Sequence, residues 1–311
     1  MKSHWNIIRQ LLKEFVFVKK LSGIQKPGFS SILTKRKFDS SDVKRILSQN
    51  MNLQLISKLG SGNHGTVYLV KSLKVSKSFA CKIILFGSEW SETSSESLWR
   101  HRKGFTQEVQ NLSRIKHANI VNYEGCFQIY SLNDRLVFVD NDELMPRPKY
   151  TLLATGLLME KLDVNLVDWM TQKEMQFLPE EHLINIFLQI GNALAYLHQK
   201  HICHHDVKAA NIVLARSTNW NQLPQWKLVD FGQSRRHLPE EKEYFDIESL
   251  SFGSLLLRLA ISGGDMLKRE VVNFKSLEFK RILMFLSRIE PNQNHVDIKW
   301  ALDEYIKSGK M

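Results

Sequence analysis

The spacing of apolar residues changes twice along the 311-residue chain. Trp5, Ile8, Leu11, Leu12, Phe15, Val18 and Leu21 recur at three- and four-residue intervals with Lys and Arg between them, the period of an amphipathic helix. Such a segment reads either as an interfacial or targeting helix, or as a helix or tail that rests on the body. Residues 22–50 are rich in Ser, Lys and Gly and read as a linker. From residue 51 the pattern shortens. Leu53, Leu55, Ile56 and Leu59 lead into a glycine cluster, Thr66 to Val70 follow, and Phe79 to Leu85 form a third apolar run, which predicts strand, glycine turn, strand, strand. Residues 87–100, dense in Ser and Glu, read as an extended loop. Phe105, Val109, Leu112 and Ile115 share one face of a predicted helix over 105–115. Residues 131–149 are polar and acidic and read as an insertion, and Leu152 to Met159 as a buried strand.

The second half is helical. Leu183, Ile186, Phe187, Ile190, Leu194 and Leu197 form a strong stripe, Leu250 to Ile261 another, and Leu277–Ile289 and Val296–Ile306 weaker ones. Strands first and helices after predict an α+β architecture, with a small sheet lobe joined to a helical lobe. The expected organisation is an extension over 1–50 and one domain over 51–308, divided into 51–159, a hinge at 160–163, and 164–308.

Composition adds three limits. Cys81, Cys126 and Cys203 are far apart and odd in number, which argues against a disulfide framework and for a reducing compartment. No apolar run approaches the roughly 20 residues of a membrane span. No secretory pattern is seen in the first residues. The expected location is therefore intracellular and cytoplasmic. The net charge of +11 is concentrated: residues 1–50 hold 11 Lys/Arg against 3 Asp/Glu, and the rest 32 against 29. The basic extension is expected to touch a membrane surface or a partner, and a specific nucleic acid is not expected.

The chemistry lies between Gly60 and Gly232. Gly60, Gly62 and Gly65 fit G-x-G-x-x-G and are followed by Val67. Glycines let backbone N–H groups approach phosphates. A dinucleotide turn would open a helix; here a strand follows, which favours a hairpin lid over a nucleotide. Lys82 lies 17 residues beyond Gly65 with apolar neighbours on both sides, so its charge needs a partner, and Glu108 is the natural one. In His204-His205-Asp206-Val207-Lys208-Ala209-Ala210-Asn211, a carboxylate can accept a hydroxyl proton, a lysine can neutralise a moving phosphoryl group, and an asparagine can ligate a metal. Asp230, ending an apolar strand before Phe231-Gly232, offers oxygen to a hard cation. His201, His204 and His205 also gather near Cys203, where a metal site competes with a structural role.

This ordered set resembles the protein kinase family over about residues 51–262. The resemblance implies a bilobal kinase-like fold with a β-rich lobe carrying one regulatory helix, and ATP with Mg²⁺ as cofactors. Asp206, Lys208, Lys82 and Glu108 take the catalytic positions, and Asn211 and Asp230 the metal positions. Val67, Ala80 and Val213 fall where the family sandwiches adenine, Met159 at the gatekeeper, and Glu160 and Leu162 at the hinge. Leu112 falls in the regulatory stack with His204 and Phe231. Lys208 gives the loop its serine/threonine form. Asp246 matches the acid that supports the loop from below; a shifted frame, Glu248-x-x-Ser251-Phe252-Gly253, gives that place to Glu248. The lengthened junction at 131–149 resembles kinases that phosphorylate a translation initiation factor.

Three features depart from the family. His205 replaces the arginine that binds a phosphorylated activation loop, so that switch is not expected; a histidine charges only below pH ~6.5. Only 13 residues separate Gly232 from Asp246, and the Ala-Pro-Glu anchor has no counterpart beyond Leu238-Pro239-Glu240. Glu290-Pro291-Asn292-Gln293-Asn294 carries asparagine where the family's arginine pairs with that anchor. Losing both partners of a buried pair costs far less than losing one, so the two losses are coherent. The expected function is a serine/threonine protein kinase acting on a protein hydroxyl without activation-loop phosphorylation. The alternatives are a pseudokinase-like ATP-binding module and a kinase of a non-peptide acceptor.

Overall fold

The computed structural model describes residues 39–62, 65–86, 95–132, 135–140, 151–215, 223–261, 274–287 and 297–309. The amphipathic segment 5–21 and the Glu290–Asn294 run lie outside them. The described chain forms two compact units: one takes residues up to Ser113 together with Tyr123–Lys161, the other Arg114–Asn122 and Leu162 onward. The division falls inside the expected hinge. It also assigns 114–122 to the second unit, where Val121 N–H donates to Leu228 O at 3.0 Å, instead of keeping 51–159 as one continuous lobe.

The first unit is a six-stranded antiparallel sheet in the order β1-β2-β3-β6-β4-β5. Its strands are β1 (Leu53–Gly62), β2 (Gly65–Ser72), β3 (Ser78–Leu85), β4 (Tyr123–Leu132), β5 (Arg135–Asp140) and β6 (Thr151–Glu160). Alternation along β3 sends Phe79, Cys81 and Ile83 into the main apolar cluster and Lys82 to the other face. Gly65 sits at φ +113°, and a Cβ there would come 2.6 Å from Ile83 O, so the hairpin needs glycine at this point.

Three segments of the first unit differ from expectation. Residues 40–51 are not linker. Helix α1 (Ser40–Ile46) runs on into a π turn over Leu47–Met51, and Val43, Ile46 and Leu47 are buried with Leu53, Val70, Cys81, Phe127 and Ile129. Asp39 and Asp42 form a capping box at its start. The i, i+3, i+4 apolar triplet was hidden by the Ser and Lys around it. Helix α2 spans Ser95–Leu112, so it begins inside the expected loop; Leu98, Arg100 and Lys103 favour helix despite the serines. Its Phe105, Val109 and Leu112 are buried, as the periodicity requires. Part of the expected insertion is strand β5, paired with β4 from Leu132–Arg135 to Phe127–Asp140. Residues 141–150 lie outside the described ones.

The second unit holds α3 (Leu166–Gln172), α4 (Glu180–Gln199), α5 (Lys242–Ala260), α6 (Leu277–Ser287) and α7 (Ile298–Lys307). Two short ladders join β7 (Ile202–Cys203) to β10 (Arg235–Arg236), and β8 (Ile212–Leu214) to β9 (Trp226–Leu228). The predicted stripe of α4 is buried in full. Phe187, Phe279 and Tyr305 bring α4, α6 and α7 together with ring centroids 5.8–6.0 Å apart. Helix α5 begins at Lys242, eight residues before the expected Leu250. At Gly253 it packs against the Leu286 backbone so closely that any Cβ would collide with that carbonyl. Among the described residues, no helix is long and apolar enough to cross a membrane.

If α1 belongs to the core, truncating it must destabilise the sheet. Leu47→Ala, at 0% exposure, is expected to cost about 2–5 kcal/mol, seen as a lowered denaturation midpoint with an unchanged m-value. A loss below about 0.5 kcal/mol would show that α1 is only a surface appendage.

Candidate active site

In the first unit the glycine hairpin closes with Gly62 opposite Gly65 and Gly60 opposite Val67. The next rung sets Val67 against Lys82, and β3 sets Ala80 against Met159 and Phe79 against Glu160. These residues are therefore neighbours on three adjoining strands. Lys82 Nζ donates to both carboxylate oxygens of Glu108, each at 2.9 Å. The side chains are 5% and 1% exposed. A pair so deeply buried is expensive to break from one side, about 3–5 kcal/mol, so each charge holds the other in place.

The second unit carries the remaining predicted residues: Leu162, Asp206, Lys208, Asn211, Val213 and Asp230. The β8–β9 ladder places them. Ile212 pairs with Leu228 and Val213 with Lys227, and Val229 N–H donates to Asn211 O at 3.0 Å. That register sets Asn211 beside the residue preceding Asp230. Val213 also bridges Asn165. Lys208 Nζ contacts Asp206 Oδ1 and Oδ2 at 3.0 and 2.7 Å. Asn211 Nδ2 donates to Asp206 O at 2.8 Å and to Oδ2 at 2.9 Å. The carboxylate is thereby fixed by two donors. With its nitrogen committed as donor, the amide of Asn211 leaves Oδ1 as its acceptor atom. An amide oxygen and the Asp230 carboxylate are hard oxygen donors that suit Mg²⁺.

Asp230 occupies the left-handed region at φ +61°, and Phe231 turns into the core at 0% exposure. Its ring meets His204 edge-on at 4.8 Å. His204 Nε2 lies 2.9 Å from Val229 O, a group that can only accept, so Nε2 carries the proton. Nδ1 then accepts from Asp206 N–H at 3.2 Å. Burial lowers the His204 pKa below the ordinary histidine value, against the opposing pull of Glu248 and the Val229 carbonyl. The neutral ring so defined is a strut between the Asp206 loop and the strand ending at Asp230.

The acid beneath this loop is Glu248, not Asp246. Glu248 Oε1 accepts from His204 N–H and His205 N–H, both at 2.7 Å, and Oε2 lies 2.8 Å from His198 Nε2. Burial would raise its pKa, but the His198 hydrogen bond and charge, with the histidine N–H groups, hold it below the ordinary carboxylate value. Asp246 is only partly buried one half-turn earlier on α5. The one-frame ambiguity was visible in the sequence; helical phase decides it. His198 and His237 were missed, since neither lies in a spaced motif. His205, expected to charge below pH ~6.5, is held lower still by burial and by His237 and Arg235, against Glu248.

The segment after Gly232 is as short as its length implied. A turn over Phe231–Gln233 is followed by β10, with Arg235 opposite Cys203, and then by α5 from Lys242.

The first unit thus carries a glycine hairpin with a strand lysine, and the second an Asp/Lys/Asn loop with Asp-Phe-Gly. The chain belongs to the protein kinase domain family, which matches residues 53–251, more than half of its length. It is 31% identical over 159 residues to serine/threonine-protein kinase Nek4 of Mus musculus, covering 51% of this chain and 16% of that protein. It is 29% identical over 183 residues to the cyclin-dependent kinase 4 homolog of Caenorhabditis elegans, covering 59% and 38%. It is 33% identical over 177 residues to serine/threonine-protein kinase D2 of Rattus norvegicus, covering 57% and 16%. The chain spans well under half the length of these curated relatives.

Glu248→Ala would strip the buried His204 N–H and the partly buried His205 N–H of their acceptor, at about 1–3 kcal/mol for the first and less for the second. It should lower the melting temperature far more than Asp246→Ala; equal losses would return the frame to Asp246. The histidines set a pH dependence. His204 and His205 have folded pKa values below the unfolded ~6.5, so the unfolded chain binds protons first and stability falls on acidification. Melting temperature should be flat above neutrality and drop between about pH 6.5 and 5, less steeply in His204→Gln; a rise on acidification would contradict the assignment.

Proposed function

We propose that this protein is a serine/threonine protein kinase that transfers the γ-phosphoryl group of ATP to a protein hydroxyl without control by activation-loop phosphorylation. The observation that carries the reading is the Asp206 carboxylate, oriented by Lys208 and Asn211 and braced from below by Glu248. Two of the named relatives carry the name serine/threonine-protein kinase, which supports the same reading.

Gly60, Gly62 and Gly65 would present backbone N–H groups to the phosphates. Val67, Ala80 and Val213 would flank the adenine, with Met159, Glu160 and Leu162 along its edge. Lys82, held by Glu108, would bind the α- and β-phosphates. Asn211 and Asp230 would hold Mg²⁺, which when bound neutralises charge on the phosphates. Asp206 would accept the proton of the attacking hydroxyl, and Lys208 would stabilise charge on the transferred group. His205 replaces the arginine that would meet a phosphorylated segment at that position. The brevity of residues 233–241 favours a second reading, a non-peptide acceptor, because the segment that normally presents a peptide is reduced.

Incubation with Mg²⁺ and γ-labelled ATP, with and without a generic acceptor protein, tests both. Transfer to protein should fall by about 10²–10⁴-fold in Asp206→Ala. Asp230→Ala should abolish it. Turnover of ATP with no labelled protein would support the non-peptide acceptor. ATP binding with no turnover in the unaltered protein would overturn the enzyme reading.

A further inference from the structure

Cys203, His205 and His237 take no part in phosphoryl transfer, yet the second unit folds them onto one point. The β7–β10 ladder sets Arg235 opposite Cys203 and Arg236 opposite Ile202. Just beyond it, His237 N–H donates to His201 O at 2.9 Å. His205 follows Cys203 by two residues and turns back with φ +63°, a left-handed conformation uncommon outside glycine. One ligand atom from each of Cys203, His205 and His237 lies within 4.8 Å of the other two. The two Nε2 atoms are 2.7 Å apart. Two imidazoles can share one proton at that distance, but such a bond gives no role to the thiol beside it.

We propose that Cys203 Sγ, His205 Nε2 and His237 Nε2 form a Zn²⁺ site, distinct from the Mg²⁺ position and with a fourth place for water. One thiolate and two imidazoles are the soft-to-intermediate donors that select zinc over magnesium. Binding is balanced by two proton movements: the thiol S–H bond breaks, sulfur gives its pair to the metal and the proton leaves to water, while the proton held between the two Nε2 atoms passes through water to Nδ1 of its own ring, so that both neutral imidazoles present an Nε2 lone pair. Zn–N distances of about 2.0–2.1 Å in a tetrahedron set the two nitrogens about 3.3–3.4 Å apart, so they must part by roughly 0.6–0.7 Å from 2.7 Å. His205 is exposed and gives the metal a way in. Orienting groups are present. Glu241 Oε2 accepts from Leu238 N–H at 2.7 Å and lies 3.6 Å from His237 Nδ1, beyond hydrogen-bond length but close enough for its charge to act on that ring. Tyr244 stacks on His237 at 4.1 Å and 24°. The overlapping group His198, Cys203 and Glu248 is less suited, because both Glu248 oxygens already accept hydrogen bonds. Zinc here would tie the loop preceding Asp206 to the segment following Gly232.

The full chain, stripped with a chelator, is titrated with Zn²⁺ by calorimetry and with Co²⁺ as an absorbing substitute. One saturable equivalent is expected, with a near-ultraviolet sulfur-to-cobalt band and a melting temperature that rises with free Zn²⁺. The band should vanish in Cys203→Ser. Affinity should fall more than about 10–100-fold in His237→Gln, and within that range in the surface variant Glu241→Gln, which keeps the fold in case Cys203→Ser does not. No saturable equivalent in the unaltered chain would overturn the proposal. Equally, binding unchanged in both His237→Gln and Glu241→Gln would put the metal elsewhere.

Discussion

The second unit is organised around one buried carboxylate. Glu248 reaches up from α5 and accepts hydrogen bonds from the backbone of His204 and His205 and from the ring of His198. A charge so buried is tolerable only with its acceptors filled, and three donors fill it. In return it holds His205 in the left-handed region and fixes the direction in which the chain leaves towards Asp206. His204 then turns its neutral ring between the Asp206 backbone and Val229. The positions of Asp206, Asn211 and Asp230 thus follow from a helix residue with no catalytic chemistry of its own.

The same brace explains how the segment beyond Gly232 manages while so short. Its residues are secured by backbone pairing of β10 with β7, by the His237–His205 contact, and by the immediate start of α5. None of these depends on a phosphate or on an arginine beside Asp206. Partial desolvation and the charges of His237 and Arg235 lower the His205 pKa against Glu248, which favours the neutral ring.

In the first unit the constraint is the two-sidedness of β3. Cys81 and Ile83 face the apolar cluster that α1 helps to close, while Lys82 faces Glu108 on α2. A sheet with both faces covered cannot slip register by one residue without burying Lys82 among hydrocarbons. The helix contributed by residues 40–46 therefore bears on the lysine from the far side of the sheet.

The sequence alone determined β1, β2, β3 and β6 ahead of the later helices, the α4 stripe, the Lys82–Glu108 partnership, and Asp206 with Asn211 on one loop. These rest on short spacings and period, which a linear chain displays directly. It did not reveal α1, because three apolar residues among Ser and Lys carry too little period to outweigh composition. It read Ser95–Arg100 as loop for the same reason. It left Asp246 and Glu248 undecided, since both lie at plausible distances from the loop. Only the phase of a helix packed beneath that loop could choose Glu248. The convergence of His237 with Cys203 and His205 was likewise invisible, because it depends on which two strands pair and in what register. Pairing of strands distant in sequence is a property of the folded chain.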